Sequence, residues 1–220
     1  MDPFRLCLAL GPVAVYLLLF GLINLSRRPF LVSGTRDAAA LGLAVAGLVI
    51  VGPIELFFPN TAAMTFGPYV WLLLLAFYGL CLLLVLLLLR PRLIIYNMPG
   101  DQLRPILASL ASELDPDARW AGDSVILPKL GVQLYVDNLT AMRNVSLISS
   151  GPDQNYAGWH RLEEALQATL SDEEVVRNPR GMSLVAAGVL ISVALVLAIA
   201  RAPQAVAQSL FDMLRLPWES

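Results

Sequence analysis

The chain of 220 residues has one histidine, two cysteines, one lysine and a charged fraction of only 15%. Each scarcity removes a class of chemistry. A zinc site draws on clustered His, Cys and carboxylates. His160 has no second nitrogen ligand to join it, so it reads as an exposed or capping residue. A lone histidine also leaves one candidate base for any serine or cysteine triad. Two cysteines do not make a disulfide framework. Cys7 opens the first apolar run and Cys81 lies deep in the third. At 1.5 Å per residue their depths differ by roughly 15–20 Å, beyond the ~7 Å between Cα atoms that a bridge allows. Neither G-x-x-x-x-G-K-[ST], G-x-G-x-x-G nor G-x-S-x-G occurs, so the phosphate-cradling loops and the nucleophile elbow are missing. No cofactor is expected.

What the chain has in excess is apolar sequence: 57% of residues and a mean hydropathy of +0.69, against a usual apolar share of ~45–50%. The excess lies in four runs, at about 6–25, 38–58, 68–89 and 182–200. A helix needs about 20 apolar residues to cross the ~30 Å hydrocarbon layer, and in hydrocarbon the backbone must satisfy its own hydrogen bonds, which makes each run a helix. The first run is longer than a signal-peptide core and lacks an A-x-A-like site before Arg27-Arg28, so it reads as a retained anchor. The chain therefore divides into spans one to three within 1–90, a hydrophilic segment at 91–180, span four within 181–201 and a tail at 202–220. The tail places Gln204, Gln208, Asp212 and Arg215 opposite Val206, Leu210, Met213 and Leu214, the pattern of an amphipathic helix suited to the membrane interface.

Basic residues set the orientation. Arg27, Arg28, Arg36, Arg90, Arg92, Arg177 and Arg180 flank the spans on one side; Arg5, Arg201 and Arg215 flank the other. The positive-inside rule puts both termini outside and residues 91–180 in the cytosol. Arginine-rich, lysine-poor usage with abundant Ala and Leu suggests a GC-rich bacterial genome, and hence the bacterial plasma (inner) membrane.

Segment 91–180 carries 8 basic and 12 acidic residues, a net of −4 (8 − 12). Nucleic-acid binders show the opposite sign, so no nucleic-acid partner is expected. Its periodicities predict a two-layer α+β domain of order β-α-β-β-β-α. Leu93–Tyr96 reads as a strand. Asp101 is placed to cap a helix carrying Leu103, Ile106, Leu107, Leu110 and Leu114 at helical spacing. Ser124–Leu127 and Val132–Asp137 flank the turn Pro128–Gly131, Asn144–Ser149 is a further strand, and a helix over 155–170 puts Trp159, Leu162, Leu166 and Leu170 on one face. One sheet with both helices on its apolar face is the natural arrangement. The whole is an integral membrane protein: a four-helix transmembrane bundle with a cytosolic α+β domain inserted between spans three and four.

Candidate sites are few. Glu55, two residues after Pro53 in span two, is an intramembrane acid, and such residues are functional candidates by default; its shallow depth also allows it simply to reach water. Asp115-Pro116-Asp117 reads as a loop after a helix, with nothing apolar around it. Gly42 and Ala46 in span two, and Gly188 and Ser192 in span four, are small residues four apart that let helices approach closely. Gln133, Tyr135 and Asp137 form the polar face of a strand and a candidate docking surface, as do the strand edges. Expected partners are the lipid bilayer and another protein, and the expected role is that of a non-catalytic accessory, assembly or scaffold protein. The rival readings are a small oligomeric transporter or channel subunit built around Glu55, and a membrane-bound enzyme acting on lipid headgroups near Arg90, Arg92 and Arg177.

Overall fold

A computed structural model describes residues 3–54, 69–139 and 143–214. Seven α-helices and six strands occur among them in the order α1 (Pro3–Leu25), β1 (Phe30–Ser33), α2 (Gly34–Val49), α3 (Tyr69–Leu88), β2 (Arg92–Tyr96), α4 (Gly100–Leu114), β3 (Arg119–Ala121), β4 (Ser124–Leu127), β5 (Val132–Leu139), β6 (Asn144–Ser149), α5 (Tyr156–Ser171), α6 (Arg180–Arg201) and α7 (Pro203–Leu214). A π-helical turn, Ile50–Ile54, extends α2. The chain separates into a helical unit, formed by residues 1–19, 39–88 and 184–220, and a sheet unit, formed by 20–38 and 89–183.

Among the described residues, three helical stretches are long and apolar enough to cross a membrane: Pro3–Leu25, Gly34–Gly52 and Arg180–Arg201. They coincide with the first, second and fourth apolar runs, and the second begins four residues before the expected 38. The third run falls on α3, whose apolar segment Leu72–Leu88 is shorter. Small residues mark the helix contacts in this unit. A Cβ on Gly47 would collide with the Leu8 carbonyl oxygen of α1, so α1 and α2 meet backbone to backbone there. Gly42 abuts Leu82 of α3, and the Tyr78 hydroxyl donates to the Gly42 carbonyl at 2.6 Å. In hydrocarbon such a bond gives the Tyr78 hydroxyl a partner that no water would supply.

The sheet unit is built on one antiparallel sheet of order β1-β2-β6-β5-β4-β3. Register fixes its two faces, because side chains alternate along each strand. Leu93 lies opposite Leu147, Val136 opposite Leu147 and Val125 opposite Leu134, and all of these point to the same side. They meet Leu103, Leu107, Leu110 and Ala111 of α4 and Trp159, Leu162, Leu166 and Leu170 of α5 in one buried core. Both helices therefore cover one face.

Three expectations are corrected here. The order is not β-α-β-β-β-α over 91–180, because two further strands belong to the sheet. β1 comes from the linker between α1 and α2 and pairs with β2, with Phe30 opposite Tyr96 and Ser33 opposite Leu93. β3 pairs with β4 across the two-residue turn Gly122-Asp123; Gly122 has φ +64°, which a residue without Cβ adopts freely. Secondly, Asp101 does not cap α4: the cap position is Pro99 and makes no side-chain hydrogen bond. Thirdly, Asp115 is not a solvated loop acid. It is fully buried, accepting from the Asp117 N–H at 2.9 Å and the Lys129 N–H at 2.7 Å, and so pins the end of α4 to the β4–β5 turn.

The second sheet face is divided. Over β2 it is closed: Ile94 and Tyr96 are each 6% exposed. The Phe20 ring meets Tyr96 edge-on at 5.0 Å, and the Tyr96 hydroxyl donates to Asp37 in the first turn of α2. Beside this contact is a set of buried asparagines. Asn97, at φ +61°, donates through Nδ2 to the Ser26 carbonyl at 2.6 Å. Asn178 donates to Asn24 Oδ1 at 3.3 Å and accepts from the Arg180 N–H at 3.1 Å at the start of α6. Over β5 and β4 the same face is open, with Tyr135 44% exposed.

Candidate functional site

β5 outruns its neighbour. Its ladder with β4 ends at Tyr135 opposite Ser124, whereas its ladder with β6 continues to Leu139 opposite Asn144. Past Tyr135, among the described residues, the β4 side of β5 is met by a single further bond, from the Val136 N–H to the Asp123 carbonyl at 2.8 Å. The strand end is thus an edge, and a groove of about 470 Å³ lies along it. Tyr135–Asn138 form one side, the Asp123 turn another, and Gly100, Asp101 and Arg104 from the start of α4 a third, with Trp120 completing the lining. Gly100 packs closely here, and a Cβ in its place would press on the Asn138 carboxamide.

The groove carries three carboxylates, Asp101, Asp123 and Asp137, against one guanidinium, a local net of −2 (1 − 3). Arg104 is committed: it lies 3.3 Å from Asp123, donates to the Gly122 carbonyl at 2.8 Å and sits 6.0 Å from the Trp120 ring centroid. It braces the β3–β4 turn against α4, leaving Asp101 and Asp137 to face the groove. The volume falls within the ~300–1,000 Å³ typical of ligand sites, but the three acids are no metal site: among the described residues no group of three or more His, Cys, Asp or Glu is placed to hold a metal ion.

The expected docking face is therefore brought together only in part. Tyr135 and Asp137 line the groove. Gln133 lies at the far end of β5, where its backbone carbonyl accepts from the Ser150 N–H at 2.8 Å and from Gln154 Nε2 at 3.2 Å. Periodicity alone missed Trp120 and Arg104, whose partners are distant in sequence; the Gly122-Asp123 pair was the one local signal of the turn that positions them. Of the remaining candidates, Gly42 and Gly188 stand at helix contacts, the latter against Leu18 and the Ala14 carbonyl. Ala46 is half-buried. Ser192 donates to the carbonyl of Gly188 in its own helix at 2.8 Å. Glu55 lies outside the described residues. His160 is exposed and 3.5 Å from Glu164, and Cys7 and Cys81 are both free. Comparison of the chain with models of protein families, with curated proteins and with solved structures found no match.

Proposed function

We propose that this chain is a membrane-anchored docking protein, a non-catalytic accessory or assembly factor whose sheet unit receives an extended segment of another protein. The observation that carries the reading is the free edge of β5 past Tyr135, running along a groove with two uncommitted carboxylates. A strand edge supplies main-chain hydrogen bonds to an incoming strand, and flanking pockets select its side chains. Asp101 and Asp137 would favour a Lys or Arg on the partner, and Tyr135 and Trp120 its stem. In this reading α1, α2, α3 and α6 make four spans, the arginine bias places both termini outside, and the sheet unit works in the cytosol.

The test is a photo-crosslinking amino acid at position 135, placed in the full-length protein in native membranes. One dominant protein adduct should form, and Asp101→Asn with Asp137→Asn should reduce its yield several-fold. Adducts to lipid alone, or a protein adduct indifferent to both acids, would remove the support for this reading.

A further inference from the structure

The sheet unit has a second, smaller pocket, of about 190 Å³. Ser33, Thr35, Leu89, Arg92, Tyr156 and His160 are among the residues that line it. Leu89 immediately follows the apolar helix α3, so along the chain this pocket adjoins an apolar helical segment. The volume is below the range typical of drug-sized ligands; it admits a small polyatomic group and excludes a nucleotide.

One side of the lining, Arg92 with Ser33 and Thr35, has the chemistry of an anion site. Arg92 holds a guanidinium with five N–H donors, yet its contact with Asp37 is long, at 3.6 Å, and its side chain remains 36% exposed. Its Nε is buried without an acceptor, because the chain packs Gly34 directly against the side chain. The terminal nitrogens are thus under-used donors fixed in place by packing. Two acids stand close: Asp37, beside Arg92, also accepts the Tyr96 hydroxyl, and Glu163, which itself lines the pocket, turns toward Arg36 at 4.0 Å. Ser33 Oγ and Thr35 Oγ1 stand 3.3 Å apart, two rotatable donors flanking Gly34, the first residue of α2. A guanidinium fork and paired hydroxyls beside the positive end of a helix make a suitable set for tetrahedral oxyanions.

We propose that this pocket binds a phosphate group. The group belongs either to a phospholipid headgroup or to free phosphate; the recognition chemistry is the same. The test is native mass spectrometry of the full chain in detergent, with dihexanoyl-phosphatidylglycerol and inorganic phosphate as separate probes. One saturable adduct is expected. Ser33→Ala with Thr35→Ala should weaken it by roughly tenfold or more, the effect of losing hydrogen bonds to a charged group, and Arg92→Gln should abolish it. If Arg92→Gln disturbs folding through Asp37, the hydroxyl pair carries the test alone, because those two side chains bond only to each other. A lipid adduct that inorganic phosphate does not displace identifies the headgroup as the source. A phosphate adduct without a lipid one identifies the free ion. Either upholds the site, provided the hydroxyl variant weakens it. Binding of neither probe, or binding unchanged in the hydroxyl variant, overturns it.

Discussion

At the scale of single residues, the polar groups that matter most are buried and were invisible as a pattern. Asp115 is the clearest case. In sequence it is one acid of an Asp-Pro-Asp stretch, but its two oxygens satisfy two backbone donors on different segments. Replacing it with Ala takes the acceptor from the Asp117 and Lys129 N–H groups, which costs about 1–3 kcal/mol; thermal unfolding of the purified protein should show that loss, whereas Asp117→Ala, at an exposed position, should show little. Asn97 makes a sharper comparison. Its φ of +61° is strained for any residue with a Cβ by roughly 1–2 kcal/mol, except that Asn tolerates it better than most. Asn97→Ala loses the bond to Ser26 and meets that strain, while Asn97→Gly loses the bond alone. The glycine variant should therefore be the more stable of the two, by about 1 kcal/mol in the same unfolding measurement. No spacing rule links Asn97 to Ser26 or Asn24 to Asn178, since each pair meets only through the tertiary fold.

At the scale of elements, legibility followed length and alternation. β4, β5, β6, α4 and α5 were readable because each repeats an apolar residue with a period that only one kind of structure satisfies. β1 and β3 were not. β3 has three residues, too few to alternate. β1 has four, preceded by Pro29 and lying between two apolar runs, and its partner Tyr96 is 66 residues from Phe30 (96 − 30). A linker and an edge strand look alike at that length. Its two faces differ in consequence. Leu31 packs on the core, whereas Phe30 is exposed. Leu31→Ala should cost about 1–2 kcal/mol, less than the ~2–5 typical of a fully buried leucine, and Phe30→Ser should be nearly neutral. The groove beside Tyr135 follows the same logic: Asp137 and Tyr135 could be found from the alternation of β5, but the groove exists because β5 is longer than β4, a mismatch that pairing alone reveals.

At the scale of the whole molecule, the hydrophilic segment and the folded sheet unit are not the same object. Reading hydropathy along the chain isolates residues 91–180, but the folded unit also takes in residues 20–38. Those residues supply an edge strand for β2, the Phe20 ring against Tyr96 and the Asp37 carboxylate beside Arg92. Without them Ile94 and Tyr96 lose their cover and the outer edge of β2 is bare, a combination that favours self-association. A soluble fragment of residues 91–180 should therefore aggregate or exchange its β2 amides rapidly. The register offers a direct remedy. Ser33 stands opposite Leu93 in an antiparallel pair, so a short turn can join residue 34 to residue 92 and make β1–β2 a hairpin. A fragment running from residue 29 to 34, through such a turn, and on from 92 to 180 restores the edge pairing of β2 and should show slow hydrogen exchange there. If the plain 91–180 fragment proves equally protected, then β1 is a passenger on a self-sufficient domain; if only the hairpin version is protected, the linker between the first two membrane helices is an integral strand of the sheet.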